Sequence, residues 1–268
     1  MFQIVSEVYG VVLRNWRLVF RFGGGPALAL GLFMVLSPFL VDLPTAPAEG
    51  ETVTVTASGA LAGMVAILVM SGLSLWLVVA HAIRWHRFAL YGEQPANPLR
   101  LEFGARGWRY LWASFIVSML SLAAILPLMA LGGGLMGAGA GGMALGLLSV
   151  MAASMYVLGR VGLILPAAAA DQSMGIGASW SATAGRGGAF AGLLLAVVIP
   201  PALVFNTAQF VVAGGPEVGR LGTALGNAIG LVGLLFSTAL AAAALSRCYI
   251  AVFGMPAQRP GTVVDTTV

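Results

Sequence analysis

The sequence predicts an all-α polytopic membrane protein with six transmembrane helices, and three observations carry that prediction. The chain is 59% hydrophobic and 8% charged, with a mean hydropathy of +0.97, so it has too little polar surface to cover a soluble globule of this length. Its 13 basic and 9 acidic side chains cluster in short segments between apolar stretches of roughly 20 residues, the length a helix needs to cross a bilayer. All the basic residues are arginine, and they fall almost entirely on one side of the predicted topology.

The spans are predicted at 24–42, 59–83, 110–132, 141–166, 188–212 and 222–246. Under the positive-inside rule Arg14, Arg17, Arg21, Arg84, Arg87, Arg100, Arg106, Arg109, Arg160, Arg186, Arg247 and Arg259 are cytoplasmic, and Arg220 alone is outside. The first outer loop carries Asp42, Glu49 and Glu51, and the second is a glycine run from Gly132 to Gly142. An even number of spans with this bias places both termini in the cytoplasm of a bacterial-type inner membrane.

The whole of 1–268 is expected to be one membrane domain: an interfacial helix over 1–22, a six-span bundle over 24–254 and a short cytoplasmic tail over 255–268. In the N-terminal segment Gln3, Glu7, Gly10, Arg14, Arg17 and Arg21 recur at steps of four and three, which gathers them on one helical face. Val5, Val8, Val12, Trp16 and Val19 occupy the rest, so an amphipathic helix lying in the headgroup plane is expected rather than a signal peptide. The same spacing recurs as Glu102, Arg106, Arg109 before the third span and as Ser179, Thr183, Arg186 before the fifth. Either the chain holds three repeated units, each an interfacial helix and a membrane hairpin, or arginines simply mark the cytoplasmic end of every hairpin.

Few residues are placed to carry chemistry. Arg160 is expected near the interface, paired with Asp171 or reaching to lipid phosphates. His81 and His86 are the chain's 2 histidines, and a five-residue separation puts them on different helix faces, so they read as interfacial anchors and no metal site is expected. The single cysteine, Cys248, excludes an internal disulfide framework. No serine sits in a nucleophile elbow, and the glycine run lacks the Lys-Ser/Thr ending of a phosphate loop. No cofactor is expected. The arginines sit at helix ends and not in one exposed stripe, which favours anionic lipid over nucleic acid as their partner despite a pI near 9.8.

Two features point to helix packing. Gly222, Gly226 and Gly230 repeat every fourth residue, a ridge on which another helix, from a membrane partner or a second copy, can approach closely. Pro200 and Pro201 interrupt the fifth span and free backbone carbonyls that a neighbour must satisfy. Asn206, Gln209 and Asn227 are expected at similar depth, as an interhelical amide cluster or as a polar vestibule for a solute.

The stretch Tyr156-Val157-Leu158-Gly159-Arg160-Val161-Gly162-Leu163-Ile164-Leu165-Pro166-Ala167, followed by Asp171 and by Ala178-Ser179-Trp180-Ser181-Ala182-Thr183-Ala184-Gly185-Arg186, resembles the central signature of YciC-like bacterial inner-membrane proteins. The membrane domain of some glycerophosphodiester phosphodiesterases is similar. The resemblance implies a multispan membrane domain of six spans behind an amphipathic helix. It implies no activity, and it carries no catalytic residue across.

The function expected from these readings is that of a non-catalytic membrane protein supporting lipid organisation or the assembly of a membrane complex. Arg14, Arg17, Arg21, Arg106, Arg109, Arg160, Asp171, Arg186 and Arg247 are its candidate lipid or partner contacts. One alternative is a transporter or channel for a small solute, using the amide cluster. The other is an intramembrane enzyme acting on lipid, for which only Asp171, Glu93 and the two histidines are suitably placed.

Overall fold

The computed structural model describes residues 2–40, 57–94, 104–136, 139–213 and 219–254, and among these every regular element is an α-helix. In chain order they are α1 (Phe2–Arg14), α2 (Trp16–Leu40), α3 (Ala57–Tyr91), α4 (Ala105–Met136), α5 (Gly139–Val161), α6 (Ile164–Ala169), α7 (Ile176–Ala182), α8 (Gly187–Ala213) and α9 (Arg220–Phe253). Five of them, α3, α4, α5, α8 and α9, are long and apolar enough to cross a membrane, and α2 makes a sixth if its two limbs are taken as one span. The chain is a polytopic helical membrane protein. Arg100, Glu102, Arg259, the first outer loop with Asp42, Glu49 and Glu51, and the tail over 255–268 lie outside the described residues.

α9 is the hub of the bundle. Its spanning window is 44% buried, against 11% for α4 and 17% for α3 and α5, because its run of Ala239, Ala242, Ala243 and Ala244 admits close neighbours on several sides. α8 packs along it, α2 and α3 pack as a pair on another flank, and α5 joins α4 to α8. Large apolar side chains cover the outside: Leu68, Ile67, Leu147, Phe210 and Val211 are all exposed. In water such a surface drives aggregation, whereas acyl chains solvate it at no cost.

Two breaks shape the arginine-bearing end. α2 bends by 82° between Trp16–Gly25 and Ala27–Leu36, at Gly24, whose φ of 47° lies in the region only glycine enters freely. The span expected over 141–166 ends instead at Val161. At Gly162 a Cβ would meet the Leu158 carbonyl oxygen at 2.2 Å and Leu245 Cδ2 at 3.0 Å, so the chain turns tightly there and enters α6, all of whose residues are buried.

The segment expected as one interfacial helix over 1–22 is divided at Asn15, whose side chain hydrogen-bonds the Val11 carbonyl at 2.8 Å. α1 buries Val8 and Val12 against the bundle, packing on α8 and α9, while Gln3 and Arg14 on its other face are exposed. Separate short helices precede the first and third hairpins, as α1 and α7. Before the second, Arg106 and Arg109 belong to the first turns of α4 itself.

Among the described residues, Arg14, Arg17, Arg21, Arg84, Arg87, Arg106, Arg109, Arg160, Arg186 and Arg247 gather where α3, α5 and α9 finish and α4 and α8 begin. Arg220 opens α9 at the opposite end.

Candidate functional site: the arginine cluster around Asp171

Asp171 terminates α6. The Gln172 amide donates to the Ala167 carbonyl at 2.8 Å and the Asp171 amide to the Ala168 carbonyl at 3.2 Å, the paired bonds of a Schellman cap. That cap requires a left-handed residue and usually takes glycine, yet here aspartate adopts φ 62°. The carboxylate explains the choice. Arg106 donates to it through Nε at 3.0 Å and Nη2 at 2.6 Å, Arg109 through Nη2 at 2.7 Å, and Arg87 through Nη1 at 3.5 Å.

Arg87 is held as firmly by Glu93, with two contacts of 2.6 Å, and also donates to the Ala169 carbonyl at 3.1 Å, closing the last turn of α6. One carboxylate thus draws together the ends of α3, α4 and α6. Three guanidinium groups face two carboxylates, so the cluster keeps a positive excess among the described residues. The Asp171 side chain is 6% exposed and that of Arg109 is 50% exposed, which leaves Arg109 as the guanidinium facing outward.

Arg160 does not join this cluster, contrary to the pairing expected from sequence. Asp171 is taken by the α3 and α4 arginines, and Arg160 lies 8% exposed in a socket built by α7 and α8. Its Nη1 donates to the Thr183 carbonyl at 2.8 Å, and its guanidinium carbon sits 4.3 Å from the centre of the Trp180 ring. Its own carbonyl accepts from Ser179 Oγ at 2.9 Å and Thr183 Oγ1 at 3.1 Å. Gly187 makes room for the stem, since a Cβ there would meet Arg160 Cδ at 2.3 Å. The Gly-Arg-x-Gly and Ser-Trp…Thr residues are therefore two halves of one packing motif.

The histidines are not interfacial anchors either, because both are fully buried. His81 Nε2 donates to the Leu235 carbonyl at 3.0 Å. His86 lies between Ser246 Oγ at 2.9 Å and Tyr110 OH at 3.1 Å, joining α3, α9 and α4. Sequence reasoning missed these partners, since nothing local in the chain announces a contact 160 residues away.

Two further contacts meet carbonyls at breaks in the helices. α2 turns away at Gly24, which takes the Phe22 carbonyl out of the helical ladder; Arg84 Nη1 donates to that oxygen at 2.6 Å. Residues 200 and 201 are proline, which leaves the carbonyls of Ala196 and Val197 without their helical donors. Tyr9 OH reaches both, at 3.3 Å and 3.1 Å. Burial raises the Tyr9 phenol above its ordinary pKa, so the donor proton is retained at neutral pH.

The remaining predicted contacts are dispersed. Arg14 Nε turns back to the Gly10 carbonyl at 3.0 Å, Arg17 stacks 5.7 Å from the Trp16 ring, and Arg21 reaches Gln94 at 3.4 Å. Arg186 donates to the Ala251 carbonyl at 3.3 Å, and Arg247 approaches Glu7 at 3.9 Å.

The amide cluster is not assembled as expected. Asn206 and Gln209 line one cavity of about 270 Å³ between α8 and α9, but Asn206 donates to the Ala202 carbonyl of its own helix and Asn227 donates to the Met34 carbonyl of α2. Nor are Gly226 and Gly230 open to a partner: a Cβ on them would meet Ala213 Cβ at 2.4 Å and Gln209 Oε1 at 2.8 Å. α8 of the same chain occupies that ridge.

A cleft of about 480 Å³ opens beside Arg109, between α4 and the segment from α6 to the start of α7. Arg109, Gln172 and Ser173 stand at its polar end, and Trp112, Ile116 and Ile164 line the apolar remainder.

Comparison of the chain with protein-family models, with curated proteins and with solved structures returns no match. Among the described residues no group of three or more His, Cys, Asp or Glu could hold a metal ion.

Proposed function

We propose that the chain is a non-catalytic protein of a bacterial-type inner membrane, with its arginine-bearing end and both termini turned to the cytoplasm, where it gathers anionic phospholipid and organises lipid around itself or a membrane complex. One observation carries this reading. Ten of the eleven described arginines lie at one end of the bundle, and several of them, Arg14, Arg17 and Arg21 above all, are exposed there. Basic side chains at a membrane surface attract anionic headgroups by about 1 kcal/mol each. Buried His81, His86 and Arg160, by contrast, each hydrogen-bond within the chain, to the Leu235 carbonyl, to Ser246 and Tyr110, and to the Thr183 carbonyl.

The test is the lipid shell that the full chain retains when excised from its membrane in polymer-bounded discs. Wild type is expected to be enriched in anionic phospholipid over the bulk membrane, and replacing Arg14, Arg17 and Arg21 by Gln is expected to reduce that enrichment. A shell of bulk composition in the wild type refutes the reading.

A second reading, passage of a small solute, is favoured by the cavity between α8 and α9 with Asn206, Gln209 and Ser237 on its wall. Solute flux into liposomes that is lost on Asn206→Leu would put it first.

A further inference from the structure

The cleft beside Arg109 has the form of a site for one lipid molecule. Arg109, Trp112 or Ala113, and Ile116 follow one another at helical spacing on a single face of α4. Seven residues of helix cover about 10 Å, so the cleft runs from the guanidinium level well into the apolar zone. Its opposite wall changes character in the same order, from Gln172 and Ser173 at the polar end to Ala168 and Ile164 below. Trp112, on its wall, is 64% exposed. Exposed tryptophans of this kind sit at headgroup level in membrane proteins.

Charge decides which lipid fits. Asp171 is shared by Arg106, Arg109 and Arg87, so its single negative charge does not neutralise Arg109. Among the described residues Arg109 makes one hydrogen bond, from Nη2 to Asp171, and a guanidinium has five N–H donors. A phosphate oxygen is the natural acceptor for those that remain, and the planar group favours two-point contact with it.

We propose that this cleft binds one anionic glycerophospholipid, its phosphate on Arg109 and Ser173 and one acyl chain along Trp112, Ile116 and Ile164. The proposal rests on the lipid-organising reading above, and it adds a specific, saturable site to what is otherwise a diffuse electrostatic attraction. The Arg–Asp cluster then has a second role: Asp171 fixes Arg109 at the mouth of the cleft while leaving it electrostatically unsatisfied.

The experiment uses the purified full chain in mild detergent, titrated with phosphatidylglycerol, with phosphatidylcholine or with inorganic phosphate, bound lipid being counted by native mass spectrometry. One phosphatidylglycerol is expected to be retained in preference to phosphatidylcholine, and Arg109→Gln is expected to weaken it about tenfold through loss of a charge-assisted contact. Ile116→Trp fills the apolar limb and leaves the Arg–Asp cluster whole, so it is expected to displace the lipid even if Arg109→Gln fails to fold. A phosphatidylglycerol bearing a photoreactive acyl chain is expected to label peptides of α4 and α6.

Retention unchanged by Ile116→Trp, or labelling confined to α1 and α2, overturns the cleft and leaves the broader reading standing. Inorganic phosphate binding with equal strength overturns the acyl-chain assignment. Absence of any preference for anionic lipid in the wild type removes both.

Discussion

Tyr9 donates to the carbonyl of Val197 at 3.1 Å across 188 residues of sequence, and the acceptor exists because residue 201 is proline. The helix that lies over the arginine-bearing end is thus fastened to a defect in the helix that spans. Tyr9→Phe removes the donor and is expected to destabilise α1 docking by about 1–3 kcal/mol, the cost of an unsatisfied acceptor. With Pro200→Ala and Pro201→Ala the carbonyls regain backbone donors, and the same Tyr9→Phe change is expected to cost under about 0.5 kcal/mol, since no acceptor is left unsatisfied. Amide exchange of α1 in the four proteins of this cycle reads the coupling directly; equal costs in both backgrounds contradict it.

How far this was legible in the sequence depends on the range of the interaction. Span positions follow from hydropathy, which is local, and α3, α4, α8 and α9 lie close to where it predicts them. The freed carbonyls at the proline pair were also foreseeable, because a missing N–H is a property of one residue. Their partner was not, since nothing local marks Tyr9 as the donor to a carbonyl 188 residues away. The Arg160–Asp171 pairing failed for a similar reason. Nearness in sequence suggested it, but the left-handed turn at Asp171 aims the carboxylate at arginines 62 to 84 residues away, and the stacking of Arg160 on Trp180 needs the tertiary fold of α7 on α5. The Gly162 break was hidden inside an apolar run that hydropathy reads as continuous.

Asp171 combines a strained backbone with a charge that three arginines share. Asp171→Asn keeps a residue tolerant of the left-handed conformation and removes only the charge, whereas Asp171→Gly relieves the backbone and removes the side chain. If the carboxylate is what holds α3, α4 and α6 together, both variants lose stability, by about 2 kcal/mol or more, as charged hydrogen bonds are lost. Thermal unfolding in detergent decides: a Gly variant more stable than wild type would show backbone strain to be the larger effect.

Gly187 and Arg160 make a steric prediction. Gly187→Ala places a methyl group 2.3 Å from Arg160 Cδ, and the arginine stem, packed among Tyr156, Thr183 and Trp180, has little room to move. A loss of about 1–3 kcal/mol is expected from overpacking. Adding Arg160→Gln to Gly187→Ala, which takes the guanidinium out of the crowded socket, is expected to cost less than the sum of the two single changes. Additive losses in thermal stability would mean that the two positions do not meet.

The account turns on an asymmetric bundle that presents its arginine-bearing end to one side of the membrane. Cys248 is the chain's single cysteine and is buried, so Cys248→Ser provides a background for single reporters at Gln3→Cys, Gln94→Cys and Gly219→Cys, all at exposed positions. A membrane-impermeant thiol reagent is predicted to reach positions 3 and 94 from the cytoplasmic side only and position 219 from the opposite side only. Labelling of all three from one side, or of positions 3 and 94 from opposite sides, would contradict it.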